Sequence, residues 1–139
     1  MNFFRDWKCY PQIFRYVIIT MLGLAWTSFA FISKFEDAIA TGDLAKVRAL
    51  LKDDPDLAIT TNDFGSTPLH YAAYYGQQEV VLVLLDNQAN INAKDKSGCT
   101  PLHSAAVGVN DARAMVALLL AKGADVNATN NAGKTALHM

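Results

Sequence analysis

Three histidines and two cysteines are the residues whose side chains could bind a metal or act as nucleophiles. His70, His103 and His138 are separated by 33 and 35 residues, much further apart than the ligands of local zinc motifs. Cys9 and Cys99 are too few for a disulfide framework or a four-ligand zinc site. We therefore predict structural roles for the histidines, an exposed surface position for Cys99, and no metal or cofactor.

The glycines and carboxylates of the sequence also lack the patterns of catalytic chemistry. Gly65-x-Thr67 and Gly98-x-Thr100 are not followed by the Gly-Lys-Ser/Thr of a phosphate-binding loop, so we expect these glycines in turns. The sequence contains no pattern of paired carboxylates and no Ser/His/Asp arrangement that points to a reaction. It therefore predicts a protein that is not an enzyme.

The composition excludes two further classes of protein. The chain has 139 residues, enough for one small domain, and 52% of them are apolar while 18% are charged. A disordered chain would combine low hydrophobicity with high net charge. Twelve Lys and Arg against thirteen Asp and Glu give a net charge of −1, which excludes a strongly basic nucleic-acid-binding protein.

An apolar segment near the N-terminus predicts export from the cytoplasm. Residues 16–33 carry no charge and follow the basic residues Arg5, Lys8 and Arg15, which is typical of a signal peptide. Small residues allow cleavage after Ala30. The alternative is an uncleaved membrane anchor, since eighteen helical residues span about 27 Å, and a buried helix of a cytosolic fold is a third possibility.

Both export interpretations place the remainder of the chain on the same side of the membrane. Because positive flanks stay in the cytoplasm, we expect the remainder of the chain outside it, either periplasmic, secreted or anchored to the membrane. The sequence therefore divides into a signal or anchor at residues 1–30 and a folded domain at residues 31–139. Any contact with a membrane is expected only through the first of these.

The folded part contains an internal repeat. Thr67-Pro68-Leu69-His70 recurs 33 residues later as Thr100-Pro101-Leu102-His103, and after a further 35 residues as Thr135-Ala136-Leu137-His138. Gly65 pairs with Gly98, and Asp63 lies near the start of its unit as Asp95 does in the next. The two extra residues of the longer spacing fall within residues 107–111. This period and this motif resemble the ankyrin repeat.

The resemblance covers residues 34–139 and implies an all-α fold. Its form is a solenoid of stacked helix-turn-helix units with β-turn fingers, preceded here by the N-terminal signal or anchor helix. The units would be a divergent repeat at 34–62, two repeats at 63–95 and 96–130, and a truncated repeat at 131–139. We expect either that the sequence is a fragment of a longer array or that another chain covers its end.

Local signals predict where the helices begin and end. Ser33-x-x-Glu36 has the form of a capping box, so we expect the first helix to begin there. Asp43 can cap a second helix, which Pro55 would stop. In the second unit Thr67 and Pro68 suit the start of a helix.

The resemblance also implies which residues bind a partner. Ankyrin-like domains bind proteins through the fingers and the exposed side of the first helices, and their repeated His bonds to the Thr three residues earlier and to the neighbouring finger. The corresponding positions are Asp63, Phe64, Ser66, Tyr74, Tyr75, Lys96, Ser97, Cys99, Val107, Asn131 and Lys134.

Phe64, Tyr74 and Tyr75 are favoured among these positions, because aromatic side chains dominate interface hot spots. The alternative for these residues is an ordinary surface position, or packing of a tyrosine against the next repeat. We thus expect a bacterial, exported, non-enzymatic ankyrin-repeat protein that binds a protein partner and no nucleic acid. The alternatives are a membrane-anchored docking subunit and the first part of a longer multidomain protein.

Overall fold

The computed structural model describes residues 29–139, with side chains from Ser33 onward. The predicted signal or anchor therefore lies outside the described residues, apart from the backbone of its last two positions. The elements are α1 (Phe29–Thr41), α2 (Leu44–Asp53), a 3-10 helix (Pro55–Ile59), α3 (Pro68–Tyr74), α4 (Gln78–Asp86), α5 (Pro101–Ala106), α6 (Ala112–Ala121) and a 3-10 turn (Ala136–His138). Residues 29–139 contain helices and turns but no β-strand.

The helices form antiparallel pairs that stack in the order of the sequence. α1 packs on α2, α3 on α4, and α5 on α6. The first helices of neighbouring pairs also contact each other, so α1 packs on α3, α3 on α5, and α5 on the final 3-10 turn. This arrangement confirms the predicted all-α solenoid. Within residues 29–139 no helix is both long and apolar enough to cross a lipid bilayer.

Small and branched apolar residues fill the space between successive units. Leu69 is completely buried, as are Ala72 and Ala73 beside it. The side chain of each alanine is a single methyl group, and this small size allows α3 to lie close to α1 and α5. Leu102 occupies the corresponding position in the next unit and is 2% exposed, whereas Leu137 in the last unit is 80% exposed.

Several of the predicted helix boundaries are confirmed. The Asp43 carboxylate accepts a hydrogen bond from the backbone N–H of Lys46 (3.1 Å) and caps α2. That helix ends at Asp53, before Pro55. Thr67 occupies the N-cap position of α3, and Pro68 is its first residue.

The predicted start of the first helix is wrong. α1 already includes Phe29, so Ser33 lies inside the helix and does not cap it. Residues 29–32 contain neither proline nor glycine, and nothing in their sequence would interrupt a helix. The capping-box pattern alone is short enough to occur inside a helix by chance.

Candidate protein-binding surface

Each finger is a turn closed by one Asn or Asp side chain. Oδ1 of Asn62 accepts hydrogen bonds from the backbone N–H groups of Phe64 (2.9 Å) and Ser66 (3.0 Å). Asp95 does the same for the N–H groups two and four residues later, at 2.8 and 2.9 Å. Asn130 repeats the arrangement at 2.9 and 3.1 Å. Asn and Asp commonly close turns in this way.

These turns identify equivalent positions in successive fingers. The equivalent positions are Asn62, Asp95 and Asn130, so Asp63 is not the counterpart of Asp95. The repeat of identical residues does not reveal this, because the Asn62 and Asn130 fingers carry an amide where the Asp95 finger carries a carboxylate. Both side chains present the same oxygen to the turn, which is why they replace each other here.

Neighbouring fingers are joined by hydrogen bonds into a continuous row. The backbone N–H of Lys96 donates to the carbonyl of Phe64 (2.9 Å), and the N–H of Asn131 donates to that of Ser97 (2.9 Å). The Asn131 side-chain amide also donates to the carbonyl of Lys96 (3.0 Å). Gly98 lies under this contact with φ +74°, and a Cβ added there would be 2.5 Å from Oδ1 of Asn131. The fingers are therefore held in fixed register.

The repeated histidines connect each first helix to the fingers. The backbone N–H of Thr67 donates to Nδ1 of His70 (3.1 Å), so the ring proton belongs on Nε2, which donates to the carbonyl of Cys99 (2.9 Å). His103 repeats this with Thr100 (3.2 Å) and Lys134 (3.0 Å). These bonds are the structural role that the resemblance implied.

The surroundings of His70 shift the pKa of its ring. Burial lowers its pKa below the ordinary value of 6.5, while the hydrogen bond to the Cys99 carbonyl opposes that shift. A second proton would have to sit on Nδ1, facing the Thr67 N–H. The residue is therefore neutral and structural at pH 7. No group of three His, Cys, Asp or Glu residues suited to a metal occurs in the described part of the chain.

Six of the predicted binding residues lie along the row of fingers. Asp63, Phe64, Lys96 and Asn131 are exposed, and Phe64 retains 42% of its accessible surface. Ser97 and Lys134 are partly buried at the same edge. We refer to these six residues as the finger edge.

The predicted exposure of two further residues is wrong. Ser66 is 4% exposed and Cys99 is completely buried. Each stands between the turn glycine and the N-cap threonine, where the chain enters the helix. The backbone N–H of Cys99 donates to Asp95 and its carbonyl accepts from His70, so this segment is held inside the stack.

The remaining predicted residues lie at the opposite end of the first helices. Tyr74 and Tyr75 end α3 and follow it, with ring centroids 5.1 Å apart in an edge-to-face arrangement. Seven helical residues separate them from the fingers, a distance of about 10 Å. Val107 takes the corresponding place after α5 and is partly buried. We call Tyr74, Tyr75 and Val107 the helix-end cluster.

The two-residue insertion packs against this cluster. The backbone N–H of Val109 donates to the carbonyl of Tyr74 (3.0 Å), and the Asn110 amide donates to that of Tyr75 (3.0 Å). Both bonds satisfy carbonyls that the end of α3 leaves without helical partners. Tyr75 also packs against the core. Burial raises the pKa of the Tyr74 hydroxyl.

Comparisons with known proteins agree with this geometry. Residues 50–105 match the family described as "Ankyrin repeats (many copies)", and residues 97–131 match the family described as "Ankyrin repeat". Together the two matches run from residue 50 to residue 131, which includes the fingers and the helix pairs described above.

Individual relatives are similar over shorter stretches. A probable E3 ubiquitin-protein ligase, XBOS32, of Oryza sativa subsp. japonica is 35% identical over 88 residues, which is 63% of this chain and 18% of that protein. A putative ankyrin repeat protein of Rickettsia bellii is 58% identical over 41 residues, 30% of this chain and 17% of the relative. Rabankyrin-5 of Mus musculus is 43% identical over 56 residues, 40% of this chain and 4% of the relative.

The chain thus spans less than one fifth of the length of each of these relatives. The repeated turns, the Thr-His pairs, the stacked helices and the matches over residues 50–131 all agree. Ankyrin repeats are non-catalytic modules that bind other proteins. The chain belongs to the ankyrin-repeat family.

Proposed function

We propose that this chain binds a protein partner through the finger edge, with Phe64 as the central apolar contact. The observation that carries the proposal is the position of Phe64, whose large aromatic side chain is 42% exposed on a turn held by hydrogen bonds. Aromatic residues in such positions supply much of the binding energy of protein interfaces.

The rigidity of the finger edge supports the same proposal. The Asn62, Asp95 and Asn130 turns fix each finger internally, and the bonds from Lys96 and Asn131 fix each finger to the next. A partner would therefore bind a surface that needs little ordering, and the conformational entropy lost on binding would be small.

The helix-end cluster is close enough to belong to the same interface. A standard interface buries about 800 Å² on each partner, an area that easily spans the roughly 10 Å along α3 between the fingers and Tyr74. A partner centred on Phe64 would thus reach Tyr74 by lying along the first helices. Tyr75 is less suited to a test by truncation, because its ring also packs against the core.

Photo-crosslinking from the finger edge tests this proposal. Phe64 is replaced by a photoreactive phenylalanine analogue in the full chain, expressed in its source cells. We expect a specific crosslinked protein, identified by mass spectrometry. The matched control carries the same analogue at Leu120, which is 39% exposed but lies on the second helix α6. Equal crosslinking of the same protein from both positions would contradict the proposed site.

We also propose that the chain is exported and acts outside the cytoplasm. The basic residues before the uncharged segment 16–33 support this. N-terminal sequencing of the exported protein distinguishes its two forms. A secreted or periplasmic chain cleaved after Ala30 would begin at Phe31, whereas a membrane-anchored docking subunit would retain residues 1–30. Finding the protein only in the cytoplasm would refute both.

A second candidate function is recruitment on behalf of a longer protein. Each of these relatives is more than five times as long as the stretch of it that matches this chain. In a protein of that length, the repeats would select a partner for another domain. Sequencing the transcript beyond codon 139 separates this from a protein that acts by binding alone.

A further inference from the structure

Charged residues are divided unevenly along the surface formed by the fingers and first helices. At its beginning, α1 presents Asp37 and the first described finger presents Asp63, both exposed. Further along the stack, Lys96 is exposed in the next finger and Lys134 is partly buried in the last. Carboxylates therefore precede ammonium groups along the stack.

Neighbouring charges reduce this division without removing it. Lys34 is exposed on α1 three residues before Asp37, but Glu36 adds a second carboxylate to the same helix. At the other end, the exposed Asp125 places one carboxylate beside Asn92, but Lys94 adds a third ammonium group, held by donating to the carbonyl of Thr129 (3.0 Å). We call Asp37 and Asp63 the acidic end and Lys94, Lys96 and Lys134 the basic end.

The carboxylate of Asp95 lies between these ends but does not act as a surface charge. Its side chain is 9% exposed, and its oxygen accepts two backbone hydrogen bonds within the finger. The other five basic residues within residues 29–139 belong to the layer of second helices, away from the fingers: Lys46, Arg48 and Lys52 on α2, Arg113 on α6, and Lys122 directly after α6. The division is thus a property of the finger side of the stack.

The outermost charges of the two ends, Asp37 and Lys134, are far enough apart to act on a partner separately, whereas Asp63 and Lys96 lie in adjacent fingers joined by a hydrogen bond. Packed helices lie about 8–10 Å apart, so the three steps from the first unit to the fourth cover roughly 27 Å. At physiological ionic strength the Debye length is about 8 Å. Asp37 and Lys134 therefore each attract their own counter-charge, and an extended segment of about eight residues would span both.

We infer that the finger edge, together with Asp37 of α1, binds an extended protein segment in which basic and acidic side chains are separated by an apolar one. Basic side chains face Asp37 and Asp63, the apolar side chain contacts Phe64, and acidic side chains face Lys96 and Lys134. This rests on the proposed function, because it assigns charge order to the partner of that same surface.

Synthetic peptides of defined charge order test this inference. The first probe is a fluorescein-labelled ten-residue peptide with lysines at one end, tryptophan in the middle and glutamates at the other end. The second probe has the same composition with lysine and glutamate alternating. Binding to the full chain is measured by fluorescence anisotropy at low salt. We expect the divided peptide to bind at least about fivefold more tightly, since several exposed pairs form and each contributes up to about fivefold.

Charge-reversed variants give the decisive comparison. Lys96→Glu with Lys134→Glu leaves Lys94 as the one ammonium group of the basic end and should weaken binding of the divided peptide at least fivefold. Lys46→Glu with Lys122→Glu changes the net charge equally on the second-helix side and should change binding less than twofold. Adding Asp37→Lys and Asp63→Lys to the first variant reverses four of the five charges that define the two ends. It should restore binding, because the peptide can bind in the opposite direction.

Equal binding of the two peptides, or equal effects of the two double variants, would overturn the inference, as would failure of the divided peptide to bind at all. The proposed function is judged separately by crosslinking from Phe64. If the native partner crosslinks at Phe64 but binds the Lys96→Glu, Lys134→Glu variant with unchanged affinity, the inferred charge order is wrong and the proposed binding site is still supported.

Discussion

Replacing His70 by alanine should destabilise the stack far more than the same change at His138. The His70 ring is 1% exposed and joins two segments, accepting from the Thr67 N–H (3.1 Å) and donating to the Cys99 carbonyl (2.9 Å). Alanine removes both bonds and leaves a buried donor and a buried acceptor without these partners.

The size of the effect follows from those two groups. A buried polar group that loses its hydrogen-bond partner costs about 1–3 kcal/mol, so His70→Ala should lower the free energy of unfolding by about 2–6 kcal/mol. His138 has the same Thr partner three residues earlier, but its ring is exposed and the bond from the Thr135 N–H is long (3.4 Å). Water can replace that bond, so His138→Ala should cost about 0.5–1 kcal/mol.

Urea unfolding followed by circular dichroism measures both variants against the parent chain. The midpoint gives the change in free energy as long as the slope of the transition is unchanged. Equal losses for the two substitutions would refute the reasoning, because it assigns the cost to burial and to the bond between units. A loss below about 1 kcal/mol for His70→Ala would refute it as well.

Two other stability measurements test separate parts of the structure. The lowered pKa of His70 means that the unfolded chain takes up a proton at higher pH than the folded chain. Its contribution is therefore complete above about pH 6.5 and should decline by up to 1.4 kcal/mol per pH unit below that. Urea titrations at several pH values should show this decline in the parent chain but not in His70→Ala. Gly98 and Gly133 share a φ near +74°, but only Gly98 has neighbours within 4 Å of an added Cβ. Gly98→Ala should thus lose about 1–3 kcal/mol more than Gly133→Ala, and equal losses in thermal unfolding would contradict the close finger contact.

Much of the fold could be predicted from the sequence because each unit carries its own local signals. The Thr-Pro start of α3 and the Asp43 cap of α2 depend on a few adjacent residues. The repeat spacing then fixes how the helix pairs stack. The start of α1 was missed, since a capping-box pattern at Ser33 says nothing about the helix-compatible residues before it.

The binding surface was less predictable, because exposure depends on contacts between units. Ser66 and Cys99 occupy finger positions in the sequence, yet the segment leading into each helix turns inward and buries them. The role of Asn62 was missed because it aligns with an aspartate, and a comparison of identical residues overlooks that replacement. Phe64 and Tyr74 lie at opposite ends of α3, and this separation follows from the helix between them rather than from the sequence pattern.

The affinity of the crosslinked partner for two alanine variants tests the central claim most directly. Phe64→Ala removes the exposed aromatic ring of the finger edge, while Leu120→Ala removes a similarly exposed apolar side chain from α6. If the finger edge is the binding site, Phe64→Ala should weaken binding at least about tenfold, which corresponds to about 1.4 kcal/mol, and Leu120→Ala should change it less than twofold. Unchanged affinity in Phe64→Ala would contradict the assignment.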